Sequence, residues 1–457
     1  MRYVDLGPSV PRYCVIAISA MLVRCSAAPN AAMPIIAASA PPMACPPDSQ
    51  WTSPKPLRSE DGRLWSISRP TGAAVRGGTL LIGSPALKWD LASRARSTDT
   101  ASTETIRGAP WAGVILRPDG KARPVSFPPN TSIRWMAPLA LPAGDSAVDV
   151  IWGTHPDSAN LSSFIATALW YARFDGIEWT SPQRIAEADA IWWDGSTNAA
   201  IRVDKNLHVV TRAYDNTHGA RPWIGAIYLR RSSGQWTATP IDPPDFFPRY
   251  TALLARDALH VRLIYTGRVR EGASVELNGL ASIESPDGGS TWGAPSVIRH
   301  LSGRAGYWLQ ADHNYSGYSL TWATLADSDT GASHISDLTS SDGQHWNDTP
   351  DLVVQGPLVG FVRVPQPNDY RIVVQSLGGI LHSTEWHRGT WQPLTRITSE
   401  AVAMAAVTAP DGGPILLTWS EMRPSELPNA TGRLPVLMTS ELRECAVREL
   451  PRRSPKL

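Results

Sequence analysis

The sequence lacks any strong excess of charge and any concentrated run of like charges. Its 457 residues include 42 Lys and Arg against 41 Asp and Glu, which gives a formal net charge of +1. A nucleic-acid-binding surface needs clustered basic residues, so we expect no nucleic-acid partner. A Gly-rich phosphate loop, a Gly-x-Ser-x-Gly motif and Cys/His clusters with metal-ligand spacing are also missing from the sequence. We therefore expect no cofactor and no metal.

Long apolar runs are also scarce, which bears on membrane insertion. Near the N-terminus the apolar stretch Cys14–Val23 follows Arg2 and Arg12, and small residues and prolines continue to Pro47. The stretch is too short to span a bilayer as a helix. Its order is typical of a bacterial export signal followed by a low-complexity spacer. We predict such a segment at residues 1–47, a secreted or periplasmic location, and no integral membrane segment in the mature chain.

One turn motif is complete at Ser285-x-Asp287-x-Gly289-x-Thr291-Trp292. Gly supplies a backbone with positive φ, and a short Asp carboxylate accepts the N–H groups of the turn. The indole that follows removes about 150–250 Å² from water. The motif therefore predicts a tight hairpin covered by a Trp.

Weaker copies of this motif recur along the chain. Successive turns lie 54 to 58 residues apart where they are clearest, and most precede a Trp followed by Pro and an aliphatic residue. The copies begin at Asp61, Asp119, Asp175, Ser233, Asp342 and Gly389. A period of about 55 residues suits one four-stranded propeller blade with generous loops.

The segment Ser285–Trp292 resembles the Asp box, or BNR repeat, of the sialidase superfamily, and the weaker copies extend the resemblance over about residues 60 to 440. The resemblance implies a β-propeller. Asp boxes also occur in propellers that are not sialidases, including binding domains, polysaccharide-active enzymes and assembly factors. The resemblance therefore implies a fold more strongly than an activity.

The strand pattern between the turns predicts an all-β fold with seven blades, and six blades are the alternative. A single propeller domain is expected at 48–445, followed by a tail at 446–457. The segment Leu64–Ser68 could supply the missing outer strand of the last blade and so close the propeller. The first hairpins of the blades are predicted at Ala73–Ser84, Trp135–Thr154, Asn198–Tyr214, Thr251–Thr266, Trp308–Thr324, Phe361–Ser376 and Ala403–Ser420.

The chain contains four cysteines. Cys25 ends a segment that resembles a lipid-anchor motif, but Arg24 immediately before it disfavours lipid anchoring. If the export signal is removed, Cys45 and Cys445 remain at opposite ends of the mature chain. A disulfide between them would hold the closing seam of a propeller. The alternative is two free thiols.

The turn motifs occupy one end of each blade, so we expect function at the opposite end, where first strands begin and second strands end. Aromatic residues interleaved with Arg occur there. Aromatic rings stack on sugars, so the expected partner is a glycan or polysaccharide. Arg binds carboxylates bidentately and would suit an acidic sugar. The candidate substrate-binding residues are Arg134, Arg249, Trp135, Trp193, Trp308, His155, Tyr214 and His218.

The sialidase resemblance implies three arginines on a substrate carboxylate, a Tyr nucleophile activated by Glu, and an acid/base Asp. Arg134 and Arg249, with Arg69 or Arg304, could bind the carboxylate. The catalytic candidates are Asp194 as acid/base, Tyr250 or Tyr307 as nucleophile, and Glu421 as the activating group. The leading expectation is a sialidase-like glycoside hydrolase.

Two other functions stay open. A uronate polysaccharide lyase on a seven-bladed propeller would use His and Tyr as base and acid, and His155, Tyr214, His218, Arg212 and Arg249 would serve. A non-catalytic propeller that binds glycans or acts as a scaffold would use the same aromatic residues without turnover.

Overall fold

The computed structural model describes residues 51–58, 67–85, 113–117, 119–126, 128, 135–144, 146–154, 165–193, 198–215, 223–243, 246–271, 274–301, 306–314, 317–325, 331–364, 370–387, 389–408, 415–424 and 433–442. Every secondary-structure element in these ranges is a β-strand, and none is a helix. The predicted all-β fold is therefore confirmed.

The described strands fall into seven consecutive units. Six units consist of consecutive strands alone, and the seventh also includes a strand from the N-terminal part of the described chain. After β1 (Lys55–Pro56), unit 1 contains β2 (Ile67–Val75), β3 (Gly78–Pro85), β4 (Gly113–Leu116) and β5 (Ala122–Pro124). Unit 2 contains β6 (Trp135–Pro142), β7 (Val148–Thr154), β8 (Ile165–Phe174) and β9 (Gln183–Trp192). Unit 3 contains β10 (Asn198–Val203), β11 (Asn206–Asp215), β12 (Trp223–Ser232) and β13 (Gln235–Ile241).

The remaining units repeat this arrangement. Unit 4 contains β14 (Phe247–Ala255), β15 (Val261–Glu271), β16 (Ser274–Ser285) and β17 (Ser296–His300). Unit 5 contains β18 (Gly306–Asn314), β19 (Gly317–Thr324), β20 (Ala332–Ser340), β21 (Asn347–Asp348) and β22 (Leu352–Gln355). Unit 6 contains β23 (Leu358–Val364), β24 (Tyr370–Ser376), β25 (Leu381–His387), β26 (Thr390–Trp391) and β27 (Thr395–Thr398). Unit 7 contains β28 (Ala401–Thr408), β29 (Leu416–Pro424) and β30 (Arg433–Glu441), with β1 on its edge.

Neighbouring strands within every unit are antiparallel, as short hairpin connections require. The first strands of successive units pack against one another: β2 against β6, β14 against β10 and β18, and β23 against β18 and β28. β28 also packs against β2, and units 2 and 3 share one sheet through a short β9–β11 pairing. This is the connectivity of a β-propeller, and the count of seven blades stays a prediction.

The last unit takes its outer strand from the N-terminal part of the described chain. Lys55 pairs with Thr439 and Pro56 with Met438, and Trp51 forms a bridge with Leu442. The strand involved differs from the predicted segment Leu64–Ser68. Ile67 and Ser68 instead begin β2, and 59–66 lie outside the described residues.

The turn motif has the hydrogen bonds that its sequence predicts. The Ser285 hydroxyl donates to Asp287 Oδ1 at 2.9 Å and accepts from the N–H of Gly289 at 2.6 Å. Asp287 Oδ1 also accepts from the N–H groups of Ser290 and Thr291, both at 2.9 Å. These bonds to the ionised form, the Thr291 backbone bond first, lower the pKa of Asp287 to about 2.

The same arrangement occurs in unit 5, where the Ser340 hydroxyl donates to Asp342 and accepts from the N–H of Gly343. In unit 2 Asp175 Oδ1 accepts from the N–H groups of Ile177 and Glu178, both at 2.8 Å. The degenerate copies at Asp175 and Asp342 therefore form turns of the same kind. We call this end of each unit the hairpin end and the opposite end the loop end.

The Trp residues of these turns contact the preceding unit. Trp179 Nε1 donates to the carbonyl oxygen of Ser126 at 2.5 Å, and Trp391 Nε1 donates to that of Pro350 at 2.8 Å. Two further indoles stand edge-on against a Tyr of the preceding unit with ring centroids 5.1 Å apart: Trp236 against Tyr171 and Trp292 against Tyr228. These Trp residues therefore connect units as well as covering their own hairpins.

Candidate functional site

β-Bulges occur near the loop end of the first strand in six of the seven described units. The ladder skips residues between Ser68 and Thr71, Met136 and Leu139, Pro248 and Tyr250, Tyr307 and Gln310, Leu358 and Gly360, and Ala401 and Ala403. A bulge leaves a residue unpaired and redirects its side chain. In units 4 and 5 the residues at these bulges include the predicted candidates Arg249 and Trp308.

Unit 4 places Arg249 and Tyr250 at its loop end. Pro248 pairs with Gly267 and Tyr250 with Thr266, so Arg249 is the extra residue of the bulge. Arg249 is exposed, and Tyr250 is half-buried against the apolar cluster shared by units 4 and 5. The bulge thus presents a guanidinium group next to an anchored ring.

Unit 5 begins in close contact with unit 4. The buried Thr266 hydroxyl donates to the carbonyl oxygen of Gly306 at 2.9 Å, and a Cβ on Gly306 would lie 2.8 Å from Thr266 Cγ2. Tyr307 follows, and then Trp308 with φ of +51°, a conformation that costs free energy for a bulky side chain. This contact fixes the position of Tyr307 relative to unit 4.

The predicted candidates of units 4 and 5 therefore meet. The rings of Tyr250 and Tyr307 have centroids 5.5 Å apart, and those of Tyr307 and Trp308 are 5.7 Å apart. Arg249 Cζ lies 5.6 Å from the centroid of the Tyr307 ring. A cation and two phenols share one small surface at the loop end.

A second guanidinium group joins this surface from unit 3. Burial first, and then the positive charge of Arg249, lower the pKa of Arg212, while Tyr250 opposes this change. Arg212 Cζ lies 4.2 Å from the centroid of the Trp192 ring. Its Nε is buried and has no hydrogen-bond acceptor among the described residues. The two guanidinium groups thus lie within electrostatic range of each other, and in the described ranges neither forms an ion pair.

Of the adjacent Trp192 and Trp193, the structure places Trp192, and not the predicted Trp193, at the candidate site. Trp193 is fully buried, with its Cβ and Cδ1 beside Gly153, so it belongs to the core and offers no face to a ligand. Trp192 is the ring beside Arg212. Adjacent residues of a strand point to opposite sides, and the sequence does not show which side of a Trp-Trp pair faces the core.

Glu421 is held at the boundary of units 6 and 7. Its Oε1 accepts from Trp419 Nε1 at 2.9 Å and from the Thr398 hydroxyl at 2.7 Å, and its Oε2 accepts from Arg423 Nε at 3.0 Å. The side chain is buried. The described contacts of Glu421 are all with units 6 and 7, and none joins it to Tyr250 or Tyr307.

Other candidates are only partly placed. Tyr214 lies on β11 two residues after Arg212, so both side chains project from the same side of the strand. Trp135 begins β6, which puts it at the loop end of unit 2. Four candidates lie outside the described residues: Arg134, His155, Asp194 and His218.

The described residues contain neither a metal-binding cluster nor a membrane-spanning helix. No group of three or more His, Cys, Asp or Glu side chains there is close enough together to hold a metal ion. No helix in the described ranges has the length and apolar character needed to cross a membrane.

Comparison with known proteins finds similarity at the level of solved structures. No family model and no curated protein matches the chain. A Dyadobacter fermentans protein of unknown function matches at 12% identity and TM-score 0.46, covering 68% of this chain and 95% of that one. Trypanosoma rangeli sialidase in complex with sialic acid matches at 11% identity and TM-score 0.43, covering 72% and 56%.

Penicillium chrysogenum α-L-arabinanase complexed with arabinobiose matches at 14% identity and TM-score 0.44, covering 68% of this chain and 95% of that one. All three identities are too low to transfer a ligand or a reaction. Ligand and reaction must therefore be argued from the residues of this chain.

Proposed function

We propose that this protein recognises a carboxylated sugar at the loop end of units 3 to 5. The observations that carry the proposal are the contact of Arg249 with the Tyr307 ring, the packing of that ring against Tyr250, and the buried Nε of Arg212 without an acceptor among the described residues. Two neighbouring guanidinium groups repel each other, and a bound carboxylate would remove this repulsion while taking up the buried Nε of Arg212. The tyrosine rings offer faces for the sugar C–H groups.

Hydrolysis of the glycosidic bond is the leading reaction for this site. A sialidase-like glycoside hydrolase would use Tyr307 or Tyr250 as the nucleophile, with Asp194 as acid/base. The position of Arg249 beside the Tyr307 ring, which packs against Tyr250, supports this assignment, since a cation stabilises a phenolate that forms during attack. Glu421 is left out of the proposal because its carboxylate already accepts hydrogen bonds from units 6 and 7.

The binding test compares an acidic oligosaccharide with the same oligosaccharide after its carboxyl groups are reduced to alcohols. We expect the protein to bind the acidic form, and Arg212→Ala and Arg249→Ala each to weaken binding at least about tenfold. Arg256→Ala is the matched control, because Arg256 is an exposed residue of unit 4 at the hairpin end. Equal binding of both oligosaccharides, or unchanged affinity in both site variants, would contradict the proposal.

The reaction test follows free sialic acid from a sialoside reporter. Release that is lost in Tyr307→Phe or Tyr250→Phe, with binding retained, supports hydrolysis and identifies the nucleophile. Binding of the acidic glycan without release or cleavage supports the non-catalytic alternative.

A uronate lyase is the second candidate, because Tyr214 shares one side of β11 with Arg212. In this reaction Arg212 would neutralise the uronate carboxylate and Tyr214 would transfer a proton. The test measures the absorbance of new unsaturated ends in uronate polysaccharides. Loss of this signal in Tyr214→Phe but not in Tyr307→Phe favours the lyase.

We also propose that the protein acts outside the cytoplasm after removal of residues 1–47. The support is the order of basic, apolar and small residues in this segment. N-terminal sequencing of the protein recovered from a bacterial periplasm or medium tests the proposal. An intact N-terminus on protein found only in the cytoplasm would contradict it.

A further inference from the structure

Two exposed side chains at the loop end of unit 4 have no part in the carboxylated-sugar site formed by Arg212, Arg249, Tyr250 and Tyr307. The first is Phe247, which begins β14 and has 41% of its surface exposed. The preceding residue, Phe246, is buried and stands edge-on to Tyr265 with ring centroids 4.9 Å apart. The core therefore takes one ring of this Phe-Phe pair, and the exposed part of the other ring is open to a ligand.

The second exposed side chain is Arg268, which lies against the Phe247 ring. Arg268 is directly opposite Phe247 on β15, and its Cζ is 5.1 Å from the centroid of that ring. An exposed cation–π pair contributes only about 0.5–1 kcal/mol to stability. The pair therefore adds little to the fold, but it presents a guanidinium group and an aromatic ring together at the surface.

This pair lies on the same side of unit 4 as Tyr250. Tyr250 is opposite Thr266, and Arg268 follows Thr266 by two residues on β15, so these side chains project from one side of the sheet. That side faces unit 5, because the Thr266 hydroxyl donates to the carbonyl oxygen of Gly306. Two residues span about 7 Å along a strand, a distance that adjacent sugars of an oligosaccharide can bridge. Phe247 and Arg268 therefore continue the carboxylated-sugar site outward along the loop end.

Backbone packing fixes the spacing between this pair and the carboxylated-sugar site. A Cβ on Gly267 would overlap the carbonyl oxygen of Phe247 and would lie 3.3 Å from the backbone nitrogen of Arg249. Gly267 thus allows β14 and β15 to approach closely at the bulge. Beyond the end of β14, β15 and β16 stay paired up to Glu271 and Ser274, so a projecting hairpin borders the surface on one side.

We propose that Phe247 and Arg268 bind the second sugar of an acidic oligosaccharide whose first sugar occupies the carboxylated-sugar site. The proposal rests on the function proposed above and specifies its substrate class, a chain that carries acidic groups on adjacent sugars. The Phe247 ring packs on the C–H groups of the second sugar, and Arg268 pairs with its carboxylate. An acidic monosaccharide can fill only the first of these two positions.

Calorimetric titration with galacturonic acid and with sialic acid, each as monomer, dimer and trimer, tests the proposal. In the series that the protein binds, we expect affinity to rise at least about tenfold from one sugar to two. Phe247→Ala and Arg268→Ala should each remove most of this gain, and Phe247→Tyr, which keeps the ring, should retain it. Arg256→Ala, an exposed residue at the hairpin end of unit 4, is the matched control and should also retain the gain.

The outcomes separate this inference from the proposed function. Binding that depends on Arg249 but shows no gain from a second sugar, or keeps the gain in both Phe247→Ala and Arg268→Ala, overturns the inference alone. If no acidic sugar binds, the proposed function fails and the inference fails with it.

Dimers with one carboxyl group reduced to an alcohol, prepared at either end, separate charge from stacking. Both should bind the unmodified protein more weakly than the full diacid does. For one of them the difference should vanish in Arg268→Ala, because the lost carboxylate is the one that Arg268 pairs with. A difference that persists for both half-reduced dimers would overturn the role of Arg268. Melting temperatures of the variants show that they are folded.

Discussion

Gly289 shows how one residue without a side chain allows two units to meet. Its φ is +93°, and a Cβ at this position would lie 1.8 Å from Cε1 of Tyr228 in the preceding unit. Gly234 has a similar φ of +84° but open space around the same position. Gly289 is therefore required by its neighbour as well as by its backbone conformation.

We expect Gly289→Ala to lower the free energy of unfolding by about 3 kcal/mol or more, because the ring of Tyr228 must move. Gly234→Ala should cost only about 1 kcal/mol, which is the cost of the backbone conformation alone. Denaturant unfolding of both variants measures the difference. Equal losses would show that Tyr228 moves aside without cost.

His208 is a buried histidine with a strongly altered titration. Its Nδ1 contacts the Tyr228 hydroxyl at 2.5 Å, and its Nε2 is buried without a partner in the described ranges. Burial first, and then the charge of Arg230, lower the pKa of His208 to about 4. The folded protein therefore holds this ring neutral while the unfolded chain binds a proton at about pH 6.5.

The lowered pKa of His208 predicts a loss of stability in acid. Below about pH 6.5 the unfolded state binds more protons, so stability falls as the pH drops from about 6.5 to 4, by on the order of 3 kcal/mol. His208→Gln has no titrating group and should lose less stability over this range. Unfolding curves at several pH values check this, and parallel curves for the two proteins would contradict it.

At the scale of elements, the Trp residues of the turns join neighbouring units in two ways, by a hydrogen bond or by a ring contact. Trp391 donates a hydrogen bond to the preceding unit, whereas Trp292 is edge-on to Tyr228 and its Nε1 has no acceptor among the described residues. Replacement by Phe keeps a ring at either position but removes the N–H.

Trp391→Phe should therefore cost about 1 kcal/mol more than Trp292→Phe, the net value of one hydrogen bond. Both variants lose similar ring area, so their difference isolates the bond to Pro350. Urea midpoints compared between the two variants provide the measurement. If Trp292→Phe is the more damaging change, the edge-on ring contact contributes more than the hydrogen bond.

Most elements could be predicted from the sequence because their causes are local. The predicted hairpin Trp135–Thr154 spans β6 and β7, and the other six predicted first hairpins also correspond to described strand pairs. Alternating apolar residues and turn residues determine such pairs. The closing strand is Lys55–Pro56 and not the predicted segment Leu64–Ser68. Its pairing with β30 depends on residues near the other end of the chain, which leave no local signal.

The candidate site was predictable only in part, because it combines residues from three units. The sequence predicts Arg249, Tyr250, Tyr307 and Trp308 as site residues, since each lies next to the start of a first strand, and their function stays a prediction. The sequence indicates Arg212 only as a residue of the alternative lyase site. Its place beside Arg249 depends on the packing of unit 3 against unit 4, which has no local signal in the sequence.

At the scale of the whole molecule, the pairing of β1 with β30 brings distant parts of the chain together. The N–H of Thr52 donates to the carbonyl oxygen of Glu441 at 2.9 Å, and the Ser440 hydroxyl donates to that of Thr52 at 2.6 Å. Cys45 precedes Trp51 and Cys445 follows Leu442, the two residues that form the last described bridge. Both cysteines lie outside the described residues.

We expect Cys45 and Cys445 to form a disulfide in the exported protein, which would stabilise the fold by about 2–4 kcal/mol. Cys45→Ser and Cys445→Ser should each lower the melting temperature equally, and the double variant should lower it no further. Non-reducing mass spectrometry gives the direct measurement. Two free thiols in the exported protein would rule the bond out.

The pairing of β1 with β30 also determines when the last unit can form during synthesis. Lys55 and Thr439 are 384 residues apart, so at about 5–20 residues per second the ribosome makes β30 about 20–80 s after β1. Until then the β30 edge is absent, and the exposed first-made strand is a target for chaperones and proteases. Closure of the last unit therefore waits for the synthesis of β30, however early the other units fold.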